Sequence, residues 1–274
     1  MTGLWVVLSV MVLFAAAGAG WHGCGVCPPL ADESREHGCE HPSHAPRRQG
    51  TGDRGLVIFV ESIRWLGVRW GASTVERGLR QGGFEGRFLY WQWHAGWRAW
   101  LVLPALMDRG MLEREAGRLA DFIAARRRDH PDMPLYLMGY SAGGFVAVRA
   151  LELLDDDVRV DAAALLEAAF SPGRDLGAAC RHLDGPLVIC SSVADCLIVG
   201  LGTLLFGTAD RRHAFSIGMI GPRGRAAADP RVRLLPWRPG LVRSGHWGGH
   251  FGASACGFIR HCVAPAMGIA AQPT

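Results

Sequence analysis

A serine flanked by glycines, Gly139-Tyr140-Ser141-Ala142-Gly143-Gly144, follows the short apolar run Leu135-Tyr136-Leu137-Met138. A helical pattern from Ala142 to Leu154 comes directly after it. G-x-S-x-G at a strand-to-helix turn forces the serine into a strained backbone conformation and lifts its hydroxyl above the sheet edge. Gly139 and Gly143 lack the Cβ atoms that would collide with neighbouring elements, and small Ala142 and Gly144 let the helix start at once. The Ala142 amide, at the helix N-terminus, is then placed to donate to an oxyanion. A serine hydroxyl alone is a weak nucleophile, so this chemistry also requires a base brought from elsewhere in the chain.

The elements that must position such a turn are legible around it. Leu56-Val57-Ile58-Phe59-Val60 is a continuous apolar run after Gly55, as in a strand buried on both faces. Ser73 to Arg80 suits a short helix, with Ser73 as cap three residues before Glu76. Arg87 to Trp93 is aromatic and predicts the second strand. Leu112, Ala116, Leu119, Ala120 and Ile123 recur at helical spacing, giving a helix from Met111 to Arg128 that Pro131 and Pro134 end. Further strands are expected at Leu135–Met138, near Val160–Leu166, at Leu187–Ser191 and at Val232–Leu235, with a closing helix from Ser254 to Val263. Strand alternating with helix implies right-handed crossovers and a mostly parallel sheet, in one α/β domain over residues 55–274.

With the G-x-S-x-G turn in that setting, residues 56–263 resemble the α/β-hydrolase superfamily of serine esterases and lipases. The resemblance implies a triad in the chain order serine, acid, histidine, with the acid and histidine on loops after later strands. Asp195, in Ser192-Val193-Ala194-Asp195 after the Leu187–Ser191 run, stands where the family acid stands. Glu167, after the preceding strand, is the alternative, since some members place the acid there. The base is expected at His250, with His246 as the alternate, both in Gly245-His246-Trp247-Gly248-Gly249-His250-Phe251. The oxyanion hole would combine Ala142 with an amide after the first strand, at Ser62 or Ile63. There Glu61-Ser62-Ile63 departs from the His-Gly pair of lipases, and Glu61 is either a substrate contact or a surface carboxylate.

These readings point to a carboxylic-ester hydrolase working through an acyl-enzyme on Ser141, with a small-molecule or lipid ester as substrate. The alternatives are an acyltransferase on the same triad and a catalytically silent scaffold of the envelope. Neither a cofactor nor a metal is expected, there being no H-E-x-x-H in the domain. Trp97 and Trp100, in the loop after the aromatic strand, offer an apolar substrate wall, whereas Trp91 and Trp93 read as core. The apolar stretch Leu197–Phe206 is expected to form an acyl pocket, a lid or a buried loop-helix.

Composition narrows the classes further. The chain has 274 residues and a net charge of +4. All 29 basic residues are Arg, so arginine abundance is a compositional bias and not a phosphate-recognition signal. Lacking Lys, the chain has no Walker A loop, and its longest basic run, Arg126–Arg128, is a helix-end face; nucleic acid is not an expected partner. Leu4–Ala17 followed by Ala17-Gly18-Ala19 reads as an export signal over residues 1–20, shorter than a membrane span, with membrane association through residues 4–19 as the other outcome. The protein is therefore expected to be exported: periplasmic, secreted or membrane-anchored. Gly18-Ala19-Gly20-Trp21-His22-Gly23 matches a dinucleotide fingerprint in outline but no helix pattern follows it. Residues 21–54 hold Cys24, Cys27 and Cys39 with His22, His37, His41 and His44, and read as a linker, with zinc binding by that cluster as the alternative. In an exported chain, Cys180, Cys190, Cys196, Cys256 and Cys262 are open to disulfide formation.

Overall fold

Six parallel strands in the order β2-β1-β3-β4-β5-β6 make up the sheet. The computed structural model describes residues 54–61, 71–93 and 108–269, all within one compact unit. The expected export signal and linker, and Ser62, Ile63, Trp97 and Trp100, lie outside the described residues.

The strands are β1 (Leu56–Val60), β2 (Arg87–Trp91), β3 (Leu135–Tyr140), β4 (Ala162–Leu166), β5 (Leu187–Ser191) and β6 (Val232–Pro236). Every residue of β1, β4 and β5 is buried, which is why these segments read as unbroken apolar runs. β2 and β6 form the edges and carry exposed polar positions such as Arg87 and Arg233.

Side chains alternate between two cores because the strand period is two. Ile58, Val60, Leu135 and Leu137 meet α2 (Arg109–Asp129) and α3 (Ala142–Glu152) on one face. Val57, Phe59, Met138 and Tyr140 meet α1 (Ala72–Gln81) and the C-terminal helix on the other. That last helix runs as Cys256–Phe258, a π-helical stretch Ile259–Val263, and Ala264–Ala266. Trp91 and Trp93 belong to the first of the two cores.

The structure departs from the expected elements at Ser73 and at the start of β4, and bears on two readings that the sequence left open. Ser73 does not cap α1: it is exposed inside the first turn, and Gly71 is the N-cap. The Gly71 N–H instead donates to the Glu61 carboxylate at 2.9 Å, so a group distant in sequence replaces the local cap. Strand β4 starts at Ala162, and Val160 is left in an isolated bridge with Leu183. The Leu197–Phe206 stretch is helical, as a π-helix Cys196–Gly202 followed by Thr203–Phe206, with Val199, Gly200 and Thr203 buried and the leucines on its outer side. Leu197, Leu201, Leu204 and Leu205 are between 40% and 56% exposed. Finally, none of Cys180, Cys190, Cys196, Cys256 and Cys262 is in a disulfide.

Strand order reverses direction between β1 and β3: the chain steps from β1 outward to β2, then returns to the other side of β1 with β3. In open parallel sheets the crevice beyond the strand ends at such a reversal is where ligands bind. Val60, ending β1, pairs with Gly139 near the end of β3, so Ser141 follows directly on the strand ends at that reversal.

Candidate active site

Ser141 occupies a backbone conformation that a non-glycine residue seldom adopts, with φ 54° and ψ −121°. Strain of this kind costs about 1–3 kcal/mol and persists where surrounding contacts over-determine it. Here the Ser141 N–H donates to the Leu166 carbonyl at 3.0 Å, and its own carbonyl accepts from Gly144 and Ala169. The glycines are steric necessities. A Cβ on Gly143 would lie 2.2 Å from the Val60 carbonyl oxygen and 2.4 Å from that of Glu61. On Gly139 it would meet Gly144 Cα at 2.7 Å, and on Gly144 it would meet Ala168 Cβ at 2.5 Å. The turn is thus wedged between β1 and β4, with Ser141 and Ala142 at the start of α3.

Asp195 follows β5 and precedes the π-helix, with its side chain buried. His250 opens the 3-10 turn His250–Ser254 beyond β6, and its Nδ1 lies 2.5 Å from Asp195 Oδ2. The histidine loop is tied down from three sides. Tyr140, next to Ser141, donates from its hydroxyl to the His250 carbonyl at 3.1 Å, with the two rings 5.0 Å apart. The Ser192 hydroxyl donates to the Gly248 carbonyl, joining the acid loop to the histidine loop. Trp237 Nε1 donates to the His246 carbonyl at 2.8 Å. Gly248, at φ 90°, comes so near the acid loop that a Cβ would meet Ala194 Cβ at 2.8 Å.

The two alternates named from the sequence face each other. Glu167 is wholly buried just past β4, and its Oε1 is 3.5 Å from His246 Nε2 while its Oε2 is 3.5 Å from His250 Nδ1. Burial in the first place, then the Asp195 charge and a hydrogen bond with Asp195, push the Glu167 carboxyl well above the usual range. His246 is also buried, packs edge-on against Phe258, and accepts at Nδ1 from the Gly248 N–H at 3.2 Å. Burial lowers its pKa to about 4, against a smaller opposing effect of Asp195. It is therefore neutral at ordinary pH, with its proton on Nε2.

Two further residues at this site carried weak or no signal in the sequence. Tyr140 fills the variable position of the serine motif, and nothing in the pattern marks it as the partner of the histidine backbone. Its hydroxyl pKa is raised well above the ordinary value by burial first and then by the carboxyls of Glu167, Asp195 and Glu61. Glu61 is not a surface carboxylate: it is buried, holds the start of α1, and its carbonyl accepts from Trp93 Nε1 at 2.7 Å.

Glu167, Asp195 and His250 each place a potential ligand atom within 4.8 Å of the others. The 2.5 Å between Asp195 Oδ2 and His250 Nδ1 is a hydrogen-bond distance. Two ligands of one zinc ion, each bonded at about 2.0–2.2 Å, would stand further apart than that. This arrangement therefore suits proton chemistry and does not fit a metal centre.

No family model matches the chain, and no curated protein matches it by sequence. Among solved structures it is similar to an esterase from Pyrococcus furiosus, at 14% identity and TM-score 0.40, over 74% of this chain and 82% of that one. A Trichoderma reesei cutinase in complex with a phosphonate inhibitor is similar at 13% identity and TM-score 0.34, over 80% and 75% of the two chains. A poly(3-hydroxybutyrate) depolymerase from Bordetella parapertussis is similar at 15% identity and TM-score 0.38, over 77% and 81%. The chain's own architecture is a parallel sheet flanked by helices, with Ser141 in a strained strand-to-helix turn.

Proposed function

We propose that this protein is a serine hydrolase of carboxylic esters acting through an acyl-enzyme on Ser141. The observation that carries the reading is the Asp195–His250 hydrogen bond, whose histidine is tied through its carbonyl to Tyr140, the residue preceding the strained-turn Ser141. With the Nδ1 proton donated to Asp195, the His250 Nε2 lone pair is the base. It takes the Ser141 proton as the hydroxyl oxygen attacks the ester carbonyl, then gives that proton to the leaving alcohol. Asp195 stabilises the imidazolium formed between those two steps. The Ala142 N–H at the start of α3 donates to the oxyanion, with Ser62 as the second donor by expectation. In the second half-reaction water replaces the alcohol and the same proton path runs in reverse. His246 is not given the base role, because its Nε2 turns to Glu167 and its Nδ1 is occupied by Gly248.

The substrate class in this reading is an apolar acyl ester. It is supported by the leucines exposed on the helices directly after Asp195 and by half-exposed Trp247 between the two histidines. Export, read from residues 1–20, would place the enzyme where such esters arrive from outside the cell.

The test is fluorophosphonate labelling of the full chain with peptide mapping, beside an acyl-ester chain-length series. Expected are a single adduct on Ser141 in folded protein only and loss of both labelling and turnover in Ser141→Ala. A folded protein that takes no label and cleaves no ester would overturn the reading in favour of a silent scaffold. Labelling with product formed only when an acceptor alcohol is present would make it an acyltransferase.

A further inference from the structure

Glu167 has no task in the mechanism above, yet its position is enforced. Its backbone is left-handed, with φ 42°. The loop holding it is strapped down: its N–H donates to the Cys190 carbonyl at 3.2 Å, and the Gly218 N–H donates to the next carbonyl, Ala168, at 2.9 Å. Gly218 approaches so closely that a Cβ there would lie 2.3 Å from the Glu167 carbonyl carbon. A strained conformation at a buried carboxyl, over-determined by its neighbours, is a feature to be explained by what the side chain does.

The side chain ends among titratable groups from every surrounding element. Asp195 meets it from the loop after β5, His246 and His250 from the loop after β6, Cys190 from β5 and Tyr140 from β3. No N–H or O–H among the described residues makes a well-directed hydrogen bond to either Glu167 oxygen. It also faces another carboxyl, with a Glu167 oxygen and an Asp195 oxygen within 4.8 Å of one another. Two carboxyls buried this close together are not both ionised, so one of them holds a proton. Asp195 already accepts from His250 Nδ1. His246 does not hold the extra proton, because its Nδ1 lone pair receives the Gly248 N–H.

We propose that Glu167 is a neutral carboxylic acid in the resting protein, and that it positions Asp195 against His250 by donating its proton to the Asp195 carboxylate. The assignment of the proton stands on the geometry of the two carboxyls; the positioning role rests on the serine-hydrolase reading. The burial-driven rise of the Glu167 pKa acts in the same direction. A neutral Glu167 orients Asp195 without adding a second negative charge beside His250, which would raise the imidazole pKa and leave the base protonated near neutrality.

Infrared spectroscopy of the full chain, labelled at the carboxyl carbon of glutamate, reads the proton directly and needs no turnover. At about pH 7, where free glutamate is ionised, we expect a carboxylic-acid carbonyl band that shifts with the glutamate label and disappears in Glu167→Gln. No such band, or one surviving in Glu167→Gln, overturns the assignment. Should Glu167→Gln fail to fold, persistence of the band in Glu61→Gln excludes the other glutamate buried among the described residues and supports Glu167, and its loss there overturns it. The acid limb of the kcat/KM profile reads the role. Glu167→Gln, whose amide also donates to Asp195, is expected to keep that limb within about 0.3 pH unit and kcat within about tenfold, whereas Glu167→Leu loses more. If Glu167 were an anion, Glu167→Gln would remove a charge beside His250 and move the limb down by about one unit or more. A band without Ser141 labelling would leave the protonation standing and remove its catalytic setting. Labelling without a band would leave the hydrolase standing and remove the proton from Glu167.

Discussion

Replacing Asp195 by Asn probes how the site divides its charge. Asp195 Oδ2 is 2.5 Å from His250 Nδ1, and Glu167 Oε2 is 3.5 Å from the same nitrogen. In a triad with a single acid, the Asn amide presents its N–H to Nδ1, imposes the wrong tautomer and lowers kcat about 10⁴-fold, ~5.5 kcal/mol of transition-state stabilisation. Here a second carboxyl stands in reserve. Beyond burial itself, what keeps Glu167 neutral is the Asp195 charge and the hydrogen bond to it, and Asn removes the charge. Glu167 can then ionise as the imidazolium forms, and a movement of less than about 1 Å brings it to charge-assisted hydrogen-bond distance. We therefore expect Asp195→Asn to lose only about 10²-fold, ~2.7 kcal/mol, and the double variant with Glu167→Gln to lose the full 10⁴ or so. The assay is single-turnover acylation by an activated ester followed across pH, with circular dichroism as the control for folding. The reserve-acid reasoning would be refuted if Asp195→Asn alone lost the full factor and the second substitution added nothing.

Gly143→Ala is expected to cost at least about 3 kcal/mol or to prevent folding, because its Cβ would sit 2.2 Å from a strand carbonyl that cannot retreat. Denaturant unfolding measures it, and a loss under about 1 kcal/mol would show that the elbow is far softer than its contacts suggest. His246 sets a pH dependence of stability. With a folded pKa near 4 and an unfolded value near 6.5, the folded state resists protonation, so the contribution is complete above about pH 6.5 and is lost as pH falls towards about 4. Up to about 3 kcal/mol is at stake, and His246→Gln should flatten the slope in that window. An unchanged slope would assign it to another group.

How much of this could be read in advance differs from residue to residue. Continuous apolar runs at Leu56–Val60 and Leu187–Ser191 announce buried parallel strands because burial on both faces leaves no polar alternation to confuse the pattern. The serine turn is equally legible, since the steric demands of a tight strand-to-helix reversal act over a few neighbouring residues. Ser73 misled as a cap because the Gly71 N–H finds its acceptor in Glu61, ten residues earlier. The leucines after Asp195 left pocket, lid and buried helix open, because their apolar character is local but whether a neighbour covers them is decided elsewhere in the chain.

Sequence by itself determined the strand and helix succession, the strained Ser141 and the short set of acids and histidines able to serve it. Each of those follows from local periodicity or from sterics within one turn. Only the tertiary structure decided which histidine meets which carboxyl. Both histidines and both acids lie on loops whose mutual placement depends on the lateral order of β4, β5 and β6. Those loops are then locked by contacts spanning 56 residues between Ser192 and Gly248 and 110 between Tyr140 and His250. Protonation is likewise a tertiary property. A carboxyl is an anion in water and a neutral acid beside a second carboxyl in a dry interior, and no spacing of residues encodes that difference.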